Sequence, residues 1–345
     1  MPAVGLDISD QGISVLELIH RKDTFAVGRF GRRPLPPDTI SGGYVKDKDR
    51  VAKELGRLKE ELRIDFVNAS VSEEKAYLFK TRIPRVSRKE IRSVLDFKLE
   101  ENVPIPRAEA IFDYTVITQE GHDAPDHLDV SVTVLPRKVV DTYSELLKSA
   151  GLVPLAFEVE AQAISRSLVT KGDRQTYLIV SFGEMRTGLF IVSDEVVHFT
   201  STVSIGGQNI TEAIAKHLSV SLEEAQVIKK ERVALKDHKN KDLFLSLMNT
   251  ISVLRDEVNK LSTYWNTHKD LGGEVGRPIR KILLCGKDAS IPGFVDYLSL
   301  TLNLPVEVGN VWTNAFSFRD YIPPIPQSDS LDYAAAVGLA LPKIH

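Results

Sequence analysis

Apolar and polar positions along the first thirty residues alternate with the two-residue period of strands. "AVGLDI" (3–8), "ISVLELI" (13–19) and "FAVGRFG" (25–31) predict three strands joined by short polar turns. "RRPLPPDTISGGY" follows as a Pro- and Gly-rich loop. The period then lengthens to that of a helix over 50–62, and returns to two for strands near 66–71 and 76–83. In "SRKEIRSVLDFKLEENV" a capping box, Ser87 to Glu90, opens a helix whose Ile91, Val94, Leu95 and Leu99 recur at helical spacing. "FDYTVIT" and "LDVSVTVLP" read as strands, and a helix ending at Gly151 closes a small α+β piece over 82–150.

The second half repeats the mixture. A strand and helix occupy 155–170, and "YLIVSFGEMRTGLFIV" reads as a strand, polar turn and strand. "SIGGQNITEAIAKHL" runs from a strand end through two glycines into a helix, and "SLEEAQVIKKE" carries a capping box from Ser221 to Glu224. A long helix is predicted over 241–270, a strand, turn and helix in "KILLCGKDASIPGFVDYL", and a last helix near 330–341. Strands and helices are interleaved throughout, so the class is α/β with inserted modules.

The 345 residues and 43% apolar content allow two or more domains with a large core. A net charge of −3 argues against a general nucleic-acid binder. The single cysteine, Cys285, excludes an internal disulfide and a multi-cysteine zinc site, and its place in "KILLCG" predicts a buried core residue. The amino terminus lacks the apolar segment of a signal peptide, and no run approaches the roughly 18 apolar residues of a membrane span. The expectation is a protein of the cytoplasm that reaches a membrane surface through a partner.

Laying "GLDISDQGISVLEL" over "IVSFGEMRTGLFIV" pairs Asp7 with Ser181, Ser9 with Gly183, Ser14 with Gly188 and Leu18 with Val192. Two such hairpins facing each other across a cleft can grip a phosphate chain with their turn amides, and the helix after Gly206 and Gly207 would add its free N–H groups. Carried by these motifs in order, the chain resembles the actin/Hsp70/FtsA superfamily of two-lobed, ribonuclease H-like ATPases, and within it the PilM family of type IV pilus assembly proteins. "GLDISDQGISVLEL" resembles the first phosphate motif and "FEVEAQAISRSL" the first connecting helix. "SFGEMRTG" stands where the second phosphate motif belongs, with "SIGGQNITEAI" and "EEAQVIK" matching the segment after that motif. "ILLCGKDASIPGF" occupies the adenosine motif, "DYAAAVGLAL" the closing helix, and "VLDFKLEENVPIPRAEAIFDYTV" resembles the small inserted subdomain of PilM and FtsA.

The resemblance implies a first lobe from 1–81 and 151–175, an insert over 82–150, and a second lobe from 176–218 and 276–328. Its helical part would be 219–275, and a closing helix, 329–345, would return to the first lobe. It also implies ATP and Mg²⁺ as ligands, with Asp7, Ser9, Gly12, Gly183, Thr187, Gly206, Gly207, Glu224, Lys229 and Gly286 as cofactor-binding positions and Asp7 holding a hydrated Mg²⁺. The motifs depart from those of active relatives. Ser9 replaces a glycine, Ser14 a phosphate-contacting lysine, Ser181 the aspartate of the second motif, and Lys287 a glycine of the adenosine motif. Hydrolysis is therefore expected to be weak or absent, although Glu158 or Glu160 could position a water. Asp7 has a second reading, as a turn acceptor.

The implied partner is a PilN-like bitopic membrane protein, whose short cytoplasmic N-terminal tail would dock between the first lobe and the insert. Other pilus assembly proteins and self-association are further expectations. Two readings stay open beside it. One is an FtsA-like division protein that forms filaments, although the chain stops at "LALPKIH" with no amphipathic anchor helix after it. The other is an active superfamily ATPase. Three local patterns carry their own alternatives. Lys80, Arg82, Arg85, Arg88, Lys89 and Arg92 form a solvated or lipid-facing basic run. Leu243, Leu247, Ile251, Leu254, Val258, Leu261 and Trp265 form a lobe-packing or coiled-coil stripe. His122 and His127 with Asp123, Asp126 and Asp129 form a polar loop or a metal site.

Overall fold

The two hairpins register as the alignment requires. In the computed structural model, which describes residues 3–10, 12–117, 126–231, 241–268 and 276–343, strands β1 (Ala3–Ser9) and β2 (Gly12–Arg21) pair Asp7 with Ser14. In the second half the antiparallel pair formed by 176–182 and 187–193 sets Ser181 opposite Gly188. These are the positions superposed by the sequence repeat.

The first lobe continues through β3 (Thr24–Arg33), a small ribbon of β4 (Ile40–Ser41) and β5 (Tyr44–Val45), and α1 (Lys48–Leu62). Asp47 caps α1 by accepting from the Arg50 N–H at 2.9 Å, and Val51, Leu55 and Leu58 turn one stripe into the core. β6 (Phe66–Val71) then runs parallel to β1. From here the chain leaves the lobe through a 3₁₀ turn, Glu73–Lys75, into β7 (Tyr77–Pro84), α2 (Arg88–Asn102), β8 (Ala110–Val116) and β9 (His127–Pro136). These elements form a three-stranded sheet, ordered β7-β9-β8, over which α2 lays Ile91, Leu95 and Leu99. They enclose a small core of their own with Ile83, Phe112, Val130, Val132 and Val134.

Helix α3 (Arg137–Ser149) does not belong to that core. Its Val139, Tyr143, Leu146 and Leu147 join the large core beside α1. By packing, the small core draws on residues between Tyr77 and Val134, while Leu135 and the apolar face of α3 join the large core; the expected insert spanned 82–150. The apolar stripe of α3 packs against α1 and β10.

β10 (Val153–Val159) completes a sheet ordered β10-β6-β1-β2-β3, and α4 (Glu160–Leu168) connects to the second lobe. There β11 (Thr176–Phe182), β12 (Thr187–Ser193) and β13 (Val196–Val203) repeat the β1-β2-β3 meander. Helices α5 (Gly207–Leu218), α6 (Leu222–Glu231) and α7 (Lys241–Thr267) follow, then β14 (Ile279–Cys285), α8 (Phe294–Leu302) and β15 (Val306–Val308). The second sheet, β13-β12-β11-β14-β15, repeats the first order read from its other edge, with β14 and β15 parallel to β11 as β6 and β10 are to β1. Leu247, Ile251, Leu254, Val258 and Leu261 of α7 are buried in this lobe, so the stripe packs internally; the side chain of Leu243 lies outside the described residues.

The chain closes through α9 (Gln327–Ser330), a 3₁₀ turn at Leu331–Tyr333 and α10 (Ala334–Ala340), buried against β1 and α4 of the first lobe. The approach is so close that a Cβ on Gly338 would lie 1.7 Å from the Ala163 carbonyl oxygen. Among the described residues no helix is long and apolar enough to cross a membrane.

Candidate functional site

The two hairpin turns meet across the cleft between the lobes. Asp7, Ser9, Gly12, Ser14, Arg32, Glu160, Ser181, Gly286 and Asp332 line a common polar cavity there. Asp7 is held at the end of β1 by the Ser70 hydroxyl, which donates to Oδ1 at 2.6 Å while accepting from the Ile8 N–H at 3.0 Å. Burial pushes the Asp7 carboxyl up to about 6, against the lowering effects of that hydrogen bond and of Arg186. Beside it Arg32 and Asp332 form an ion pair between β3 and the closing segment. Burial raises Asp332 to about 6 as well, although Arg32 opposes it.

A second group of expected site residues gathers behind the second turn. The α5 N–H groups are not free for an anion. The Gly207 N–H donates to the Gly183 carbonyl at 2.9 Å and the Gln208 N–H to that of Glu184 at 2.8 Å. A carboxylate of the chain itself is pressed onto the same helix end, since a Cβ on Gly207 would lie 1.8 Å from Asp288 Oδ2. Lys229 pairs with Asp288 Oδ1 at 2.9 Å and donates to the Gly207 carbonyl at 3.1 Å, fully buried. Gly183, Gly206, Gly207 and Lys229 thus form a locked structural knot.

Two expected positions stand apart from the cavity. The Thr187 hydroxyl is spent on the Ile205 carbonyl at 2.6 Å. Glu224 is exposed and accepts from the Ser221 N–H at 3.1 Å, so it caps α6. Glu158, one of the two glutamates expected to position a water, is clamped by Arg166 at 2.7 and 2.6 Å; Glu160 alone faces the cavity.

Sequence reasoning passed over the residue at the centre of the cleft. Arg186, at the second turn, reaches Asp10 at 3.0 Å, Glu74 at 2.7 Å, Glu160 at 3.6 Å and Glu73 at 3.8 Å, and donates to the Ser72 hydroxyl at 3.2 Å. The signal for it was a charged side chain in a turn aligned with a phosphate motif.

A Mg²⁺–nucleotide fits these residues poorly. The cavity at Asp7 measures about 30 Å³, room for one water, where small-molecule sites run from about 300 to 1,000 Å³. Its charged lining is Asp7, Glu160 and the Arg32–Asp332 pair; Asp10, Glu73, Glu74 and Glu160 are gathered on Arg186 beside it, and Asp288 holds the α5 terminus.

The remaining chemistry patterns resolve simply. Cys285 is buried in β14, which pushes its thiol up to about 12. Of the His/Asp loop, 118–125 lie outside the described residues. His127 pairs with Asp126 at 2.7 Å and Asp129 with Arg82 at 3.1 Å. Among the described residues no set of three or more His, Cys, Asp or Glu side chains is placed to hold a metal ion. The basic run spreads over β7, the connection holding Arg85, and α2, and Arg92 of it donates to the Phe112 carbonyl at 3.2 Å.

A larger depression, about 970 Å³, opens on the insert. Its walls are α2 (Lys89, Arg92, Asp96, Glu100), the Pro106–Phe112 stretch entering β8, and Arg137, where β9 hands the chain back to the first lobe.

A model of the type IV pilus assembly protein PilM family matches residues 5–344. The chain belongs to that family. Among solved structures, it is similar to the chain of a PilM–PilN type IV pilus biogenesis complex, with a TM-score of 0.78 and 21% identity over 98% of this chain and 97% of that one. It is also similar to the ethanolamine utilization protein EutJ from Carboxydothermus hydrogenoformans, with a TM-score of 0.56 and 14% identity over 99% and 89%. MreB5 of Spiroplasma citri bound to ADP gives a TM-score of 0.56 and 14% identity over 97% and 94%. The two-lobed actin-like fold of this PilM-family chain is thereby established. One of these similar structures holds a nucleotide.

Proposed function

We propose that this PilM-family chain is an assembly scaffold of a type IV pilus or type II secretion-like machine, working at the inner face of the cytoplasmic membrane. It docks the N-terminal cytoplasmic tail of a PilN-like bitopic membrane protein. The observation that carries this reading is the insert, a separate small core with an open groove between α2 and the stretch entering β8, Arg137 at its edge. A short extended tail binds such a groove by a few apolar anchors and charge pairs. Lys89, Arg92, Arg107 and Arg137 outnumber Asp96 and Glu100 there, so the tail's carboxylates would face them. Ordering a flexible tail costs free energy, so one copy binds modestly and repeated copies in the machine add avidity. Nucleotide turnover is not part of this function. The reading is tested by pull-down of the full chain, and of a form lacking 77–136, with the N-terminal tail peptide of a PilN-like protein. Capture by the intact chain alone supports it, and equal capture by both forms refutes it.

A further inference from the structure

Arg186 contacts three parts of the first lobe that border the cleft. Its side chain is 12% exposed and lies between the β1–β2 turn (Asp10), the root of the insert (Ser72, Glu73, Glu74) and the start of α4 (Glu160). Burial works against its charge, yet the ring of carboxylates, Glu73 foremost, holds it protonated. A second strand of the same lobe supports the contact, since the Thr202 hydroxyl of β13 donates to Glu73 Oε1 at 3.2 Å. One guanidinium cannot satisfy so many oxygens. Asp10 Oδ1 and Glu73 Oε2 are buried without a hydrogen-bond partner. Removing the cation would leave these carboxylates facing one another in a low-dielectric space, where like charges repel strongly.

We propose that Arg186 is an internal ligand of the cleft: it closes the two lobes on each other without nucleotide and ties the second lobe to the root of the insert. Charge and geometry select this role over a nucleotide-gated one. The positive group that draws the lobes together is part of the second-lobe turn, and the negative groups it draws are on the first. Asp288 at the α5 terminus and the Arg32–Asp332 pair at the closing segment fill the neighbouring positions in the same manner. Because Ser72, Glu73 and Glu74 lead directly into β7, the orientation of the insert follows the position of Arg186. Movement of the second lobe is then transmitted to the insert through one side chain. The docking groove plays no part in this inference.

The test is hydrogen exchange on the full chain, as wild type, Arg186→Ala and Arg186→Lys, with small-angle scattering in parallel. Arg186→Ala is expected to speed exchange at least about tenfold in the segments around 72–76 and 160–164 and to raise the radius of gyration. Arg186→Lys, which keeps the charge and loses the fork, should fall between the two. Millimolar Mg²⁺–ATP should leave the wild-type pattern unchanged. If Arg186→Ala does not fold, the double variant Asp10→Asn with Glu74→Gln replaces it, with the same local increase expected. Wild-type exchange at these segments in the variants, an increase spread evenly over α7 and α8, or protection of the wild type by Mg²⁺–ATP would each overturn the proposal.

Discussion

Asp7 shows how one residue can keep its place and change its task. It ends a buried strand, is hydrogen-bonded by Ser70, and is pushed up to about 6 chiefly by burial. A carboxyl raised above its unfolded value binds its proton more tightly in the folded chain. The stability it contributes is fully present below the ordinary value near 3.8 and is lost as pH rises through about 6. At neutral pH Asp7 therefore opposes folding. Asp7→Asn keeps the acceptor for Ser70 and removes the buried charge. It should stabilise the protein by on the order of 2 kcal/mol at pH 7.5, raising the thermal midpoint by a few degrees, and flatten the pH dependence between about 4 and 6. Thermal melts across that range check this; a lower midpoint for the variant at pH 7.5 would show that the charged carboxylate is held by a favourable partner. The sequence displayed Asp7 and its alignment with Ser181, because strand endings repeat visibly. It concealed Arg186, Asp288 and the committed state of Thr187 and Glu224, because their roles depend on which turns and helix ends meet in space.

Among the elements, those with a clean period were legible: β1, β2, α1, α2 and the β11–β12 hairpin lie where alternation and capping residues put them. β15, three residues long, and the β4–β5 ribbon are too short to show a period. The half-exposed "VVHFTSTV" of β13 lacks the alternation of a one-sided strand, so only its end before Gly206 could be read. The allegiance of α3 was invisible for a different reason. Its stripe says that one face is buried but not against which layer. That allegiance has a consequence. Replacing 77–136 with a short linker should leave a cooperatively folding two-lobed protein, because the insert's core is its own. Removing 82–150 also takes Val139, Tyr143, Leu146 and Leu147 from the large core, at about 2–5 kcal/mol for each large side chain, and should abolish cooperative melting. Circular dichroism melts of the two forms decide it; equal cooperativity would place α3 with the insert.

At the scale of the whole molecule, a duplicated meander sheet has been kept while the cleft between the copies has been filled with side chains. Phosphoryl transfer needs positioned phosphates and a pathway for water, and neither suits a cavity of about 30 Å³. Phosphate release from Mg²⁺–ATP should stay at background, and release that disappears in Asp7→Ala would contradict that. What remains open to a partner is the groove of the insert, between α2 and the 106–112 stretch. The most direct measurement is a calorimetric titration of the PilN-like tail peptide into the full chain and into Arg107→Glu, whose side chain lines that groove beside Asp96. Saturable binding to the wild type is expected, with at least about tenfold weaker binding to the variant, equivalent to about 1.4 kcal/mol, and no change on adding Mg²⁺–ATP. No binding by the wild type, or the same affinity for both proteins, would contradict it.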